Sequence, residues 1–244
     1  MKTAILGLLV LASGIFPKTL SAHEHIPSSV VNLTISVFND AGVEPSVWLQ
    51  AQGRASEIMR RSGISLIWLD CGSPVRRMPD PNCSAISYPT HLSVRVVPKI
   101  SPVQGHIFGQ TFQDAAGEGN YALVYYASIK AFRAATTVPA GELLGCVVAH
   151  ELGHLLLGTA SHSSTGLMSA VWQDPELQQV VRGNLFFSGG EGERMRSRYA
   201  AAGARLRKLS EPRVLEFGKV IPSSAKPHYR AALLVAAPEP SFKF

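Results

Sequence analysis

Charge is scarce in this sequence: Asp, Glu, Lys and Arg make up 16% of 244 residues, against 46% hydrophobic. Disordered chains show the opposite balance, so disorder is excluded as the whole answer. Heptad and collagen-like composition are missing as well. No apolar run is long enough to span a bilayer comfortably, since the longest, Ala4 to Phe16, falls well short of about 20 residues. That run stands behind Lys2 and ends in Pro17-Lys18-Thr19-Leu20-Ser21-Ala22. A basic start, an apolar middle and a small-residue end read as a secretory signal peptide over 1–22, cut after Ala22. An uncleaved anchor is the competing reading, and no Cys follows to carry a lipid. The expectation is a secreted, periplasmic or extracellular protein with no stable membrane span once the signal is removed.

Cysteine is nearly absent, with three residues. Cys71 and Cys83 flank a loop rich in Pro and Arg, which a disulfide would staple in an oxidising compartment. Cys146 lies in an apolar helical run and reads as a buried free thiol. Acidic residues are also scarce late in the chain: residues 194–230 hold ten Lys/Arg against only Glu211 and Glu216. Such a segment suits weak contact with anionic envelope polymers, or simply a solvated cationic helix and tail. Aromatic interleaving is missing from it, which argues against a nucleic-acid partner.

What is present is an alternation of strand and helix patterns. Val30 to Phe38 reads as a strand, Pro45 to Ser62 as a helix closed by Gly63, and Ile64 to Leu69 as the next strand. His91 to Val97 and Tyr121 to Tyr126 read as strands, and Ile107 to Phe112 as a short edge strand. A second helix opens at Pro139 with Glu142 in its first turn and stops at Gly158. A last helix covers about Gly190 to Leu209, and residues 210–244, with five prolines, read as a basic, flexible tail.

The chemistry is concentrated in His150-Glu151-Leu152-Gly153-His154. On a helix His150 and His154 project from one face one turn apart, within reach of one ion. Glu151 is rotated about 100° away and borders the site, where it can take a proton from an activated water. A catalytic zinc needs a third protein ligand and one open position. Gly158 can reverse the chain, so that Thr159-Ala160-Ser161 delivers His162 to the same ion; Asp174 and Glu176 are the alternatives. His91 and His106 each stand alone and read as surface or strand histidines, and His23-Glu24-His25 as a flexible polar start.

From these residues the sequence resembles the metzincin clan of zinc endopeptidases, most nearly its matrixin branch. That pattern has two residues between the second His and the Gly, and two more before the third His; here each gap has three. His162-Ser163 through Gly166-Leu167-Met168 resembles the clan's step into its Met-turn, which implies that Met168 floors the zinc site. The resemblance implies an α/β (α+β) zincin fold over 23–209, with a mixed twisted sheet, a backing helix, an active-site helix, the Met-turn and a C-terminal helix. It also implies a peptide or protein substrate aligned antiparallel to the edge strand. Asp70-Cys71-Gly72 is similar to the matrixin latency triplet, yet follows the first helix and has Cys83 as a natural partner. Trp172, four residues after Met168, is a candidate for the substrate pocket or for the core.

The expectation is therefore a secreted endopeptidase with one catalytic Zn(2+), ligands His150, His154 and His162, and general base Glu151. The rival is an exported zinc-containing binding or envelope-associated protein with the same fold and little turnover. Retention of Glu151 favours the enzyme, because a structural metal needs no proton shuttle.

Overall fold

A computed structural model describes residues 30–72, 80–98, 107–210 and 230–236. The signal segment, His23-Glu24-His25, His106 and the rest of the C-terminal tail lie outside the described residues.

β-Branched and aliphatic residues drive the first strands. β1 (Val31–Asn39) buries Leu33, Ile35 and Val37 on alternate positions, which fixes its register by putting one face in the core. It pairs parallel with β2 (Ile64–Asp70) on one side and β3 (His91–Val97) on the other. β3 pairs parallel with β5 (Tyr121–Tyr125). The sheet then turns antiparallel: β4 (Ile107–Gln113) pairs with β5 and, on its far side, with β7 (Arg230–Ala236). The two-residue β6 (Val171–Trp172) closes the sheet parallel to β7. The order is β2-β1-β3-β5-β4-β7-β6. The α/β class with a mixed sheet, expected from the sequence, is what the chain adopts.

Two helices build the core with this sheet. α1 (Pro45–Arg61) starts on a proline, whose fixed φ suits the first turn, and buries Ala51, Ala55, Ile58 and Met59. It packs along α3 (Ala140–Leu157), which carries the His-Glu-Leu-Gly-His segment. Leu143, Leu144, Val147 and Val148 of α3 join Leu92, Val94, Val96, Ala122 and Val124 in one cluster, with Cys146 buried among them. By length and apolarity α3 could cross a membrane, but 83% of it is buried inside the molecule. Three further helices are α2 (Tyr126–Ala135), α4 (Asp174–Val181) and α5 (Gly189–Ser210).

Cys71 and Cys83 form a disulfide with Cα atoms 5.7 Å apart, as expected. It joins the end of β2 to the 3₁₀ turn Pro81–Ser84 that leads toward β3. The basic face of α5 is less free than its composition suggests. Arg196 donates to the Ser62 carbonyl at 2.7 Å, Arg198 to Gly117, and Arg205 pairs with Glu118. These charges bind the helix to its own domain.

Three elements differ from the sequence reading. Tyr126 opens α2 rather than ending a strand, because the chain passes from β5 to helix with no turn residue between. The stretch between Met168 and the last helix, for which the sequence pattern gives no element, holds α4. Within residues 210–244, expected as a flexible tail, the described stretch 230–236 is a sheet strand, recruited by the otherwise unpaired outer edge of β4.

Candidate functional site

α3 places His150 and His154 one turn apart, and the chain returns through Gly158 to bring His162 beside them. Gly158 has φ +64°, a left-handed cap that ordinary residues resist, and its N–H donates to the His154 carbonyl at 2.9 Å. The reversal absorbs the longer spacing: the helix runs on to Leu157, and Thr159-Ala160-Ser161 forms the return. Ser161 N–H donates to the Thr159 hydroxyl, tightening that return. Ser163 is then held from two sides, its N–H by the Met168 carbonyl at 2.8 Å and its hydroxyl by Glu191 at 2.5 Å. Glu191, in the first turn of α5, also accepts from Ser188 N–H at 2.7 Å. His162 thus stands between a helix cap and a pinned serine.

The three imidazoles converge. His154 Nε2 lies 3.0 Å from His150 Nε2 and 3.2 Å from His162 Nε2. On their outer sides, His150 Nδ1 faces the Leu167 carbonyl at 2.6 Å and His154 Nδ1 faces the Thr159 carbonyl at 2.8 Å. A carbonyl only accepts, so each Nδ1 carries the hydrogen and donates it. In the neutral rings this leaves Nε2 as a bare lone pair pointing inward. Burial holds both rings neutral, pushing His154 down to about 4 and His150 well below its usual range. Facing lone pairs at this distance repel unless a cation lies between them. Nitrogens about 2.0–2.1 Å from a tetrahedral metal are about 3.3 Å apart, close to the separations seen here. Among the described residues, these three histidines form the cluster able to hold a metal.

Glu151, the chain neighbour of His150 on α3, is fully buried. Its Oε2 accepts from the Thr111 hydroxyl, while Oε1 has no hydrogen-bond partner. Burial pushes its carboxyl up to about 8, opposed in part by the Thr111 bond. A carboxyl so placed holds a proton readily and gives it up near neutrality, the property a proton shuttle needs. Gly109 makes the room, since a Cβ there would collide with the Glu151 carboxylate. Gln113, two residues past Thr111, donates to the His154 carbonyl. Strand β4 is therefore the wall against which Glu151 and the second histidine are set. The sequence reading missed Gly109, Thr111 and Gln113.

Met168 is buried against α3 at Gly153. A Cβ on Gly153 would meet its sulfur at 2.7 Å and Phe187 at 2.6 Å, so the bare glycine lets the helix rest on both. Trp172 is 1% exposed, its indole N–H donating to Leu167 at 3.2 Å and its ring 6.1 Å from that of His150. It packs within the hydrophobic core. Glu176 is occupied elsewhere, accepting from Gln173 and Gly166 N–H in the cap of α4. Neither it nor Asp174 joins the histidines, whereas His162 does. His91 is a packing residue, with its Nε2 2.7 Å from the Ser36 hydroxyl.

No protein-family model matches the chain, and no curated protein does. Among solved structures, a zinc-dependent peptidase from Methanocorpusculum labreanum (strain Z) is similar at 17% identity and a TM-score of 0.44. The likeness covers 66% of this chain and 99% of that one.

Proposed function

We propose that this chain is an exported zinc-dependent endopeptidase of the metzincin type. One observation carries the reading: three imidazole Nε2 atoms converge, two of them with inward lone pairs, on a helix whose buried Glu151 keeps one carboxyl oxygen unpartnered. A structural zinc is closed by four protein ligands, and a fourth is missing from the cluster among the described residues. Glu151 beside three histidines favours the enzyme over a binding protein that merely keeps the metal.

His150, His154 and His162 would hold the ion through Nε2, with the Nδ1 hydrogens of His150 and His154 anchored on the Leu167 and Thr159 carbonyls. Zinc bound there would supply a Lewis acid for a scissile carbonyl and make water acidic enough to attack near neutral pH. Glu151 Oε1 takes the proton of the attacking water and later hands it to the departing amine. Thr111 holds the other carboxyl oxygen, which leaves Oε1 as the one without a hydrogen-bond partner. Burial keeps bulk water from competing for that proton. The signal segment and the disulfide support export, the latter because cystine persists in oxidising compartments.

Glu151→Gln should retain stoichiometric zinc while peptide hydrolysis falls by about 10²-fold or more. Cleavage of a mixed peptide library by the mature protein, with and without chelator, supplies the substrates for that assay. Equal turnover by variant and parent would remove Glu151 from the chemistry.

A further inference from the structure

Strand β7 occupies a particular place in the sheet. It runs antiparallel to β4, from Gln113 opposite Arg230 to Ile107 opposite Val235, with Gly109 opposite Leu234. On its other side it runs parallel to Val171-Trp172, with Val171 opposite Val235 and Trp172 opposite Ala236. Both flanking strands belong to the site. β4 carries Gly109 against the Glu151 carboxylate, Thr111 on Glu151, and Gln113 on the His154 carbonyl. β6 carries Trp172, whose ring stands beside that of His150. β7 also approaches α3, the helix that bears the histidines and Glu151. Neighbouring strands are about 4.8 Å apart, so the backbone at Leu234 lies one strand spacing from the glycine that touches the base.

An extended peptide that adds to a sheet edge gains main-chain hydrogen bonds along its length. The edge nearest Glu151 is the outer side of β4, and the chain's own segment 230–236 already pairs with it. Tethering makes that occupancy intramolecular, with an effective concentration that free peptides must exceed. We infer that Arg230–Ala236 is an intramolecular occupant of the peptide-binding edge, and that β7 must leave β4 before a substrate can pair there. The inference rests on the endopeptidase reading above. It predicts a competitive device: β7 raises the apparent KM and leaves the chemical step alone.

The test uses the full mature chain. Ala232→Pro combined with Leu233→Pro removes two consecutive strand N–H donors, one of which faces β4 whichever way the ladder alternates. Hydrogen exchange at the β4 amides should quicken in this variant, without loss of the helical α3 protection. A fluorescent peptide of sequence Arg-Ala-Ala-Leu-Leu-Val-Ala should bind the variant at least about tenfold more tightly than the parent, and restore β4 protection when saturating. In peptide hydrolysis, kcat/KM should rise by about tenfold with kcat little changed. A second variant ending at Tyr229 should behave alike, which separates release of the edge from damage by proline. Unchanged β4 exchange with no gain in heptapeptide binding, in variants that keep α3 protected, would overturn the inference. Faster exchange and tighter heptapeptide binding without any hydrolysis would uphold the occupancy and refute the endopeptidase reading instead.

Discussion

At the scale of single residues, Glu151 is the most consequential side chain. Its pKa is pushed up to about 8 by burial, against an ordinary value of 4.5. In metal-free protein the folded state therefore keeps a proton that the unfolded chain has released, and stability falls as pH rises through this range. His154 acts in the other direction, because its lowered pKa of about 4 makes the unfolded chain the better proton binder below 6.5. The two effects separate above pH 6.5. Between pH 6.5 and 8 the Tm of chelated parent protein should fall by several degrees, and Glu151→Gln should remove most of that fall. Calorimetry across this interval checks it; parallel curves for parent and variant would contradict a carboxyl held protonated by burial. His150, Glu151 and His154 were legible in the sequence because one helical turn converts a spacing of four into a shared face. Gly109, Thr111 and Gln113 were not. They meet the helix from a strand about 40 residues earlier, and nothing in Ile107–Gln113 marks it as the wall of a site. Only folding brings the two together.

At the scale of elements, the return from α3 decides whether the site has two ligands or three. The sequence reading raised that question through the longer spacing around Gly158, and the left-handed cap answers it by turning within one residue. His162→Ala should consequently lower zinc stoichiometry well below one per chain, since two histidines leave the ion underligated. Full retention of tightly bound zinc in that variant would place the third ligand elsewhere. Other elements were harder to read, for physical reasons. α4 carried a start signal that went unused: Pro175 in its first turn, flanked by Asp174 and Glu176. β7 carried no such signal, for Arg-Ala-Ala-Leu-Leu-Val-Ala has one β-branched residue and no alternation. Its strand state comes from the open edge of β4, and a partner strand remote in sequence leaves no local trace.

At the scale of the whole molecule, the disulfide and the helix docking hold the frame around the site. Closing a loop of 12 residues' separation between Cys71 and Cys83 is worth about 3 kcal/mol on chain-entropy grounds. For a domain of this size that corresponds to about 6–12 °C in Tm. Cys71→Ser with Cys83→Ser should melt lower by that amount and lose its sensitivity to reductant. A variant that melts with the parent would show that the bridge adds nothing to the frame. One further consequence follows from the two bonds that Glu191 makes. Its carboxylate holds Ser163, the neighbour of His162, and Ser188 at the entry to α5. Along α5, Arg196 and Arg198 fasten the helix to Ser62 and Gly117, far from the histidines in sequence. A partial opening that lifts α5 would thus slacken the loop bearing the third ligand while α3 stayed folded. A zinc ion bound as proposed would be a sentinel for that opening, leaving the protein before its core unravels.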